Sequence, residues 1–503
     1  MFPLVLVAFW FAVDYYYFNS NQHEKLQEIL LIYTNTEKNK MSFDQEIHQD
    51  TFEKTARDLL DFITRSPSCY HVIQNVEEKL EGYVKLEEDD SWDLKPGGCY
   101  YVERGGSSLI AFRLPEGISA DKARRFMIVA AHSDSPTFKI KPQGEIYVEK
   151  HYTKLNVEKY GGMLMASWFD RPLSVAGRVL VETEEGAEIR LVNIDRDLLI
   201  IPSLAIHMNR KANENASYNA QIDMCPLFSD NAAPGQFGEL IAEAAGVAPE
   251  QILDTDLYLY NRMPGTIWGS KDAFLSHRSL DDLQCAYALL EGFLGGNKDA
   301  AGTIPLFCIF NNEEVGSLTK QGADSDFMDS VLSRICGSLC GGIQGRPEDR
   351  SDRVRELKAR MISAGFMVSA DNGHAVHPNH PEMADPTNRP YMNGGVVIKY
   401  HANQKYTTDG LSGAVFRKIL KKAGVPYQTY TNRSDIAGGS TLGNLSNRHI
   451  SINTVDVGLA QLAMHSAYET AGVRDTEYMI RAIEAFYRTE IEVSGTVVRI
   501  HFA

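Results

Sequence analysis

At residues 304–317 the sequence reads IPLFCIFNNEEVGS, an apolar run that stops at two asparagines and two adjacent glutamates, Glu313 and Glu314. Two like charges held beside a core cost free energy unless a cation or a proton offsets them. By itself the stretch also reads as a polar turn after a strand that ends at Glu313. Three other segments repeat the pattern. RFMIVAAHSDSP is a strand ending at His132, and GFMVSADNGHAVHPN is a strand ending at Asp371. HISINTVDVGLAQLAMHSAYET is a strand and loop reaching His465, ahead of an expected helix. A helical pattern, HRSLDDLQCAYALLEGFL, carries Asp281 and Asp282 in its first turn, with Ser279 as the N-cap.

Each residue has a plain reading. Acids favour the positive end of a helix, and loop histidines are commonly surface residues. The repetition argues for more, because sites in open α/β sheets gather at the carboxyl ends of strands. His132, Asp281, Glu313, Glu314, Asp371 and His465 form a mixed imidazole and carboxylate set without thiolate. Such a set suits catalytic zinc, manganese or cobalt rather than a structural zinc clip. One aspartate has two oxygens and can bridge two cations, and metals about 3.5–4 Å apart can clamp both oxygens of a hydrolysis. A glutamate left outside coordination can act as general base. Asp134, two residues after His132, is placed to accept the other imidazole N–H and fix its tautomer.

The elements that must position these residues alternate β-branched strands with helical patterns, which predicts an α/β fold. The expected catalytic domain covers 41–137 and 275–503, with a central mixed sheet flanked by helices. Between them, 138–274 has short alternating segments such as GRVLVETEEGAEIRLVNI and reads as an inserted β-rich domain. The chain has 503 residues and a net charge of −16, which argues against a nucleic-acid partner. Seven scattered cysteines predict no disulfide framework and a reducing, cytoplasmic compartment. The opening MFPLVLVAFWFAVDYYYF lacks a basic n-region and is short for a membrane span, so no membrane association is expected. Residues 1–40 read as an upstream extension. The functional chain is expected to start near Met41, where MSFDQEIHQDTFEKTARDLLDFITRS has an amphipathic helical pattern.

The ordered motifs AAHSDSP, SLDDL, NNEEVGS, SADNGHAVHPN, VVIKYHANQKY, GGSTLG and LAMHSAYE together resemble the aspartyl aminopeptidase family, which includes the yeast vacuolar aminopeptidase. The likeness runs from about Met41 to the end and leaves residues 1–40 without a counterpart. It implies a zinc-exopeptidase-like domain holding two zinc ions, an inserted dimerisation domain, and assembly into dimer-based tetrahedral dodecamers. It implies cleavage of the N-terminal residue of peptides, acidic or from a broader neutral set. Carried over by motif, Asp281 bridges the ions, His132 and Asp371 complete one site, and Glu314 and His465 the other. Glu313 is then the general base, while His374 and Lys399 contact substrate. His207, in IPSLAIHMNR, matches a histidine that reaches a neighbouring subunit's site, with metal ligation as the rival assignment. LDD stands here where LDN is common, which leaves the role of Asp282 open. The same ligands would also serve another metal-dependent exopeptidase or deacylase, and a non-catalytic assembly scaffold could keep the fold.

Overall fold

Three segments are buried along their whole length: Arg125–His132, Thr303–Phe310 and Phe366–Ala370. Asn453–Gly458 is buried after its first residue. Continuous apolar runs of this kind belong to parallel strands covered on both faces. They pair in parallel in the order Thr303–Phe310, Arg125–His132, Phe366–Ala370, Asn453–Gly458. Ser108–Arg113 and Cys99–Arg104 extend one edge antiparallel, and Val84–Leu86 closes it. Val396–Tyr400, antiparallel to Asn453–Gly458, and Tyr427–Thr431 complete a nine-stranded mixed sheet at the other. The structure, a computed structural model, describes residues 49–502 except 215, 232, 297–299 and 342–346. The expected extension 1–40 and the helix start at Met41 lie outside these residues; the first described helix is Gln49–Thr64.

Helices cover both faces of the sheet. Phe327–Leu339, Pro347–Ser363 and Leu442–Ser446 supply Phe327, Ile335, Met361 and Leu442 to a core with Phe126, Ile128, Cys308 and Phe310. Side chains alternate along a strand, so Met127, Val129 and Ala131 turn to the opposite face, where Leu280–Gly295 packs with Asp475–Tyr487. The mixed α/β class expected from the sequence is the observed one.

Residues Thr137–Asn261 supply a six-stranded antiparallel sheet in the order Gly186–Asn193, Leu173–Thr183, Ile252–Asn261, Thr137–Val148, Tyr152–Tyr160, Leu227–Ser229. It has its own core around Phe138, Leu155, Trp168, Val175 and Leu257. A third sheet of five short strands runs Thr266–Trp268, Phe274–His277, Glu469–Gly472, Ala460–Leu462, Gly373–His374. No helix among the described residues is long and apolar enough to cross a membrane.

Three local expectations are corrected. The segment after His465 is the strand Glu469–Gly472, because it pairs with Phe274–His277. Thr303–Phe310 stops before the glutamates, which start the 3-10 turn Glu313–Val315. Ser279 has φ +56° and makes no side-chain cap bond, and Asp281 and Asp282 have non-helical backbone. The Asp281 backbone is held by Glu469 and Ser135 rather than by a helix cap.

A close helix contact on the sheet's second face depends on a glycine. A Cβ at Gly292 would lie 2.6 Å from Cβ of Ile483 and 3.0 Å from the Ile480 carbonyl oxygen. Alanine at an open helix position gains about 1 kcal/mol over glycine. Gly292→Ala is expected to reverse that sign and destabilise the protein by about 1–3 kcal/mol through overpacking. The midpoint of denaturant unfolding measures this; an unchanged or raised midpoint refutes the contact.

Candidate metal centre

Strand register brings the residues to one end of the main sheet. Phe310 pairs with His132, and Ser369 pairs with Ala130, so Asp371, two residues on, is level with His132. At this end Asp281 stands between two imidazoles. Its Oδ1 is 3.5 Å from Nε2 of His132, and its Oδ2 is 3.4 Å from Nε2 of His465. The same His465 nitrogen is 3.4 Å from Oε1 of Glu314. Three donor groups result, each with its atoms within 4.8 Å of one another: His132, Asp281 and Asp282; His132, Glu313 and Glu314; and Asp281, Glu314 and His465. Asp281, His132 and Glu314 each belong to two of them.

Hydrogen bonds fix the donors. Nδ1 of His132 is 3.0 Å from the Asp134 carbonyl oxygen, so an Nδ1–H donates there and leaves Nε2 facing Asp281. The sequence suggested the Asp134 carboxylate for this role, and that carboxylate is 3.5 Å away. It instead accepts the backbone N–H of Glu313 at 3.1 Å, that of Glu314 at 3.2 Å, and the Tyr160 hydroxyl at 2.7 Å. The glutamate turn begins at Asn312, with φ +62°, a conformation asparagine tolerates better than most residues. Its Oδ1 accepts from Thr319 and Gln321.

Glu469 escaped the sequence reading. One of its oxygens accepts the backbone N–H of His465 at 2.6 Å and the other that of Asp281 at 3.0 Å. A single carboxylate thus ties together two ligand-bearing loops. Its place within LAMHSAYE was the available signal, but nothing in the spacing says where its oxygens point.

The electrostatics are unbalanced. Burial, aided by nearby carboxylates, pushes Glu313 up to about 8 and Glu469 up to about 8. Burial likewise holds Glu314 and Asp282 well above the ordinary carboxylate range and raises Asp371. Burial opposes charge on Asp281 too, but its two imidazole partners prevail and hold it below that range. For His132 and His465, burial works against protonation and the carboxylates overcome it, so both are raised. Oδ1 of Asp281 and Oδ1 of Asp282 are buried without a hydrogen-bond partner. Divalent cations would satisfy these orphaned oxygens and replace the protons that the cluster otherwise retains. Imidazole and carboxylate donors without thiolate fit zinc in a catalytic setting.

The remaining candidates take different places. Asp282 is fully buried, accepts the His132 backbone N–H at 3.3 Å, and is the third donor beside His132 and Asp281. Asp371 lies outside the three groups; its Oδ1 is 3.2 Å from Nζ of Lys399. Lys399 is buried and also donates to the Asn372 carbonyl at 2.9 Å. His374 is exposed on Gly373–His374, its ring 6.4 Å from that of Tyr430. His377 and His380 lie at the surface with their rings tilted and 5.2 Å apart, and His207 lies in an exposed turn.

The family model described as aminopeptidase I zinc metalloprotease (M18) matches residues 62–487. A probable M18 family aminopeptidase 2 of Clostridium acetobutylicum is 43% identical over 440 residues, covering 86% of this chain and 98% of its own. A chain in the cryo-EM structure of the Ape4 and Nbr1 complex superposes with a TM-score of 0.81 at 32% identity, over 88% of this chain and 87% of that one. The S. cerevisiae mApe1 dodecamer gives 0.73 at 26% identity, over 87% and 97%.

The charge imbalance has a measurable sign. Glu313 and Glu469 are raised from 4.5 to about 8 on folding. Between those values the folded state keeps protons that the unfolded state has released, so stability falls as pH rises through the window. The raised imidazoles act in the same sense. Metal-free protein is expected to melt at a lower temperature at about pH 8.5 than at about pH 5.5, with zinc abolishing the difference. A higher melting temperature for the metal-free protein at the alkaline end refutes this account.

Proposed function

This chain belongs to the M18 zinc metalloprotease family and is a metalloaminopeptidase, and we propose that it removes the N-terminal residue of peptides with two zinc ions held about Asp281 and Glu313 as general base. The observation that carries the reading is the carboxylate of Asp281, with one oxygen toward His132 and the other toward His465. His132 and Asp371, with Asp282 beside them, would hold one ion, and Glu314 and His465 the other. Manganese and cobalt suit the same donors. When bound, the ions supply Lewis acidity toward water and the scissile carbonyl.

Glu313 takes the proton of the attacking water on its carboxylate and returns it to the departing amine. A base with a pKa close to the working pH serves both transfers, and Glu313 stands near that value before metal enters. Its backbone is fixed through Asp134, so it shares a turn with Glu314 without sharing its task. Lys399 neutralises Asp371 and keeps that carboxylate oriented; an acidic N-terminal side chain would meet the same positive charge. His374 lies on the rim as a substrate contact, and His207 is exposed for a neighbouring subunit's site.

The segment 138–274 serves self-association in this reading. Leu204, Ile206, Met208 and Ile222 are exposed apolar side chains in that region, and mApe1 of S. cerevisiae is a dodecamer. A dimer-based dodecamer is proposed for this chain as well. The seven free cysteines support a reducing, cytoplasmic location.

Glu313→Gln is expected to keep full zinc content while turnover falls by about 10²–10⁴. Normal turnover would remove Glu313 from the base role. Asp281→Asn is expected to lose zinc in elemental analysis, and full occupancy at unchanged affinity would rule out the bridge. Free peptides should be cleaved and N-acetylated ones left intact; cleavage of both would favour a deacylase or another exopeptidase.

A further inference from the structure

We infer that the segment from Tyr160 to Ser167, which leaves the six-stranded sheet, is a clasp that sets the Glu314–His465 half of the metal centre. The inference rests on the two-ion reading above. After the strand Tyr152–Tyr160 the chain crosses to the loops that carry Glu314 and His465 and meets them at four residues. The Tyr160 hydroxyl donates to the Asp134 carboxylate at 2.7 Å and accepts from the Asn312 side-chain amide at 2.8 Å. It thereby grips both residues that hold the glutamate turn. Gly161 follows with φ +77°; a Cβ there would lie 3.1 Å from Cβ of Glu314 and 3.3 Å from its carbonyl oxygen.

Nε2 of the His465 ring faces Asp281 and Glu314. Leu164 N–H donates to the His465 carbonyl at 3.0 Å. This contact helps hold His465 at φ +64°, a backbone conformation that a non-glycine residue keeps only when its surroundings enforce it. Ser167 Oγ accepts the Ala467 N–H at 2.8 Å. Trp168 and Ala467 then enter one hydrophobic core.

Among the described residues, none of these contacts falls on His132 or Asp371 directly, and Tyr160 bears on His132 only through Asp134, whose carbonyl oxygen accepts the His132 Nδ1–H. The two halves share Asp134 and otherwise have different supports. The His132 side chain is 1% exposed and that of His465 is 32% exposed. Tyr160, Gly161 and Leu164 act as positioning residues: their contacts fall on the loops that carry Glu314 and His465.

Zinc content of full-length protein, measured by elemental analysis across a chelator series, tests this with Tyr160→Phe and Gly161→Ala. The Phe variant keeps the ring packed against Tyr258, at 5.5 Å, and loses only the hydroxyl. Both variants are expected to release one of two ions at about 10–100-fold lower chelator, the usual cost of a lost outer-sphere partner, while the other ion keeps wild-type resistance. Turnover should fall with KM unchanged, and excess zinc should restore it. Retention of both ions at wild-type resistance, or their loss in step, overturns the clasp. Wild-type protein holding a single ion would instead refute the two-ion reading. The clasp then stands or falls on whether that ion's chelator resistance drops in the variants.

Discussion

The fold is arranged around a crowd of buried and half-buried carboxylates that water solvates poorly. Asp134, Asp281, Asp282, Glu313, Glu314, Asp371 and Glu469 meet at one end of the main sheet. Every one left charged in that setting needs a positive partner or directed N–H groups. The structure divides these solutions. Asp134 and Glu469 receive backbone N–H groups, Asp371 receives an ammonium, and Asp281 receives two imidazoles. The orphaned oxygens of Asp281 and Asp282 are what remains for cations.

That division explains why the surrounding architecture is rigid where it is. Four parallel strands buried on both faces cannot slip by one residue without turning their side chains to the wrong layer. Their register therefore fixes the level of His132 and Asp371. The other candidate donors sit on turns, tied down by carboxylates acting on backbone: Asp134 for the glutamates, Glu469 for His465 and Asp281. Precision comes from the sheet in one half and from cross-links between loops in the other.

Much of this was legible in the sequence because buried parallel strands read as apolar runs, and a charged residue at the end of such a run is conspicuous. His132, Asp371 and the glutamate pair stood out for that reason, and the α/β class followed from the same runs. Asp281 was found, but its surroundings were not. A helical pattern covered it, whereas its backbone bends out of the helix to answer Glu469. Glu469 itself was hidden, since a strand of four residues carries too little periodicity to mark its neighbours, and a helix was expected instead. Tyr160 was invisible because its partners, Asp134 and Asn312, come from distant parts of the chain and meet it only in three dimensions.

Glu469 joins a loop late in the chain to one near its middle, through two oxygens of one side chain. A growing polypeptide carries His132, Asp281 and Glu314 well before it carries His465 and Glu469. A centre arranged in this way needs both places in the chain before Glu469 can align Asp281 with His465.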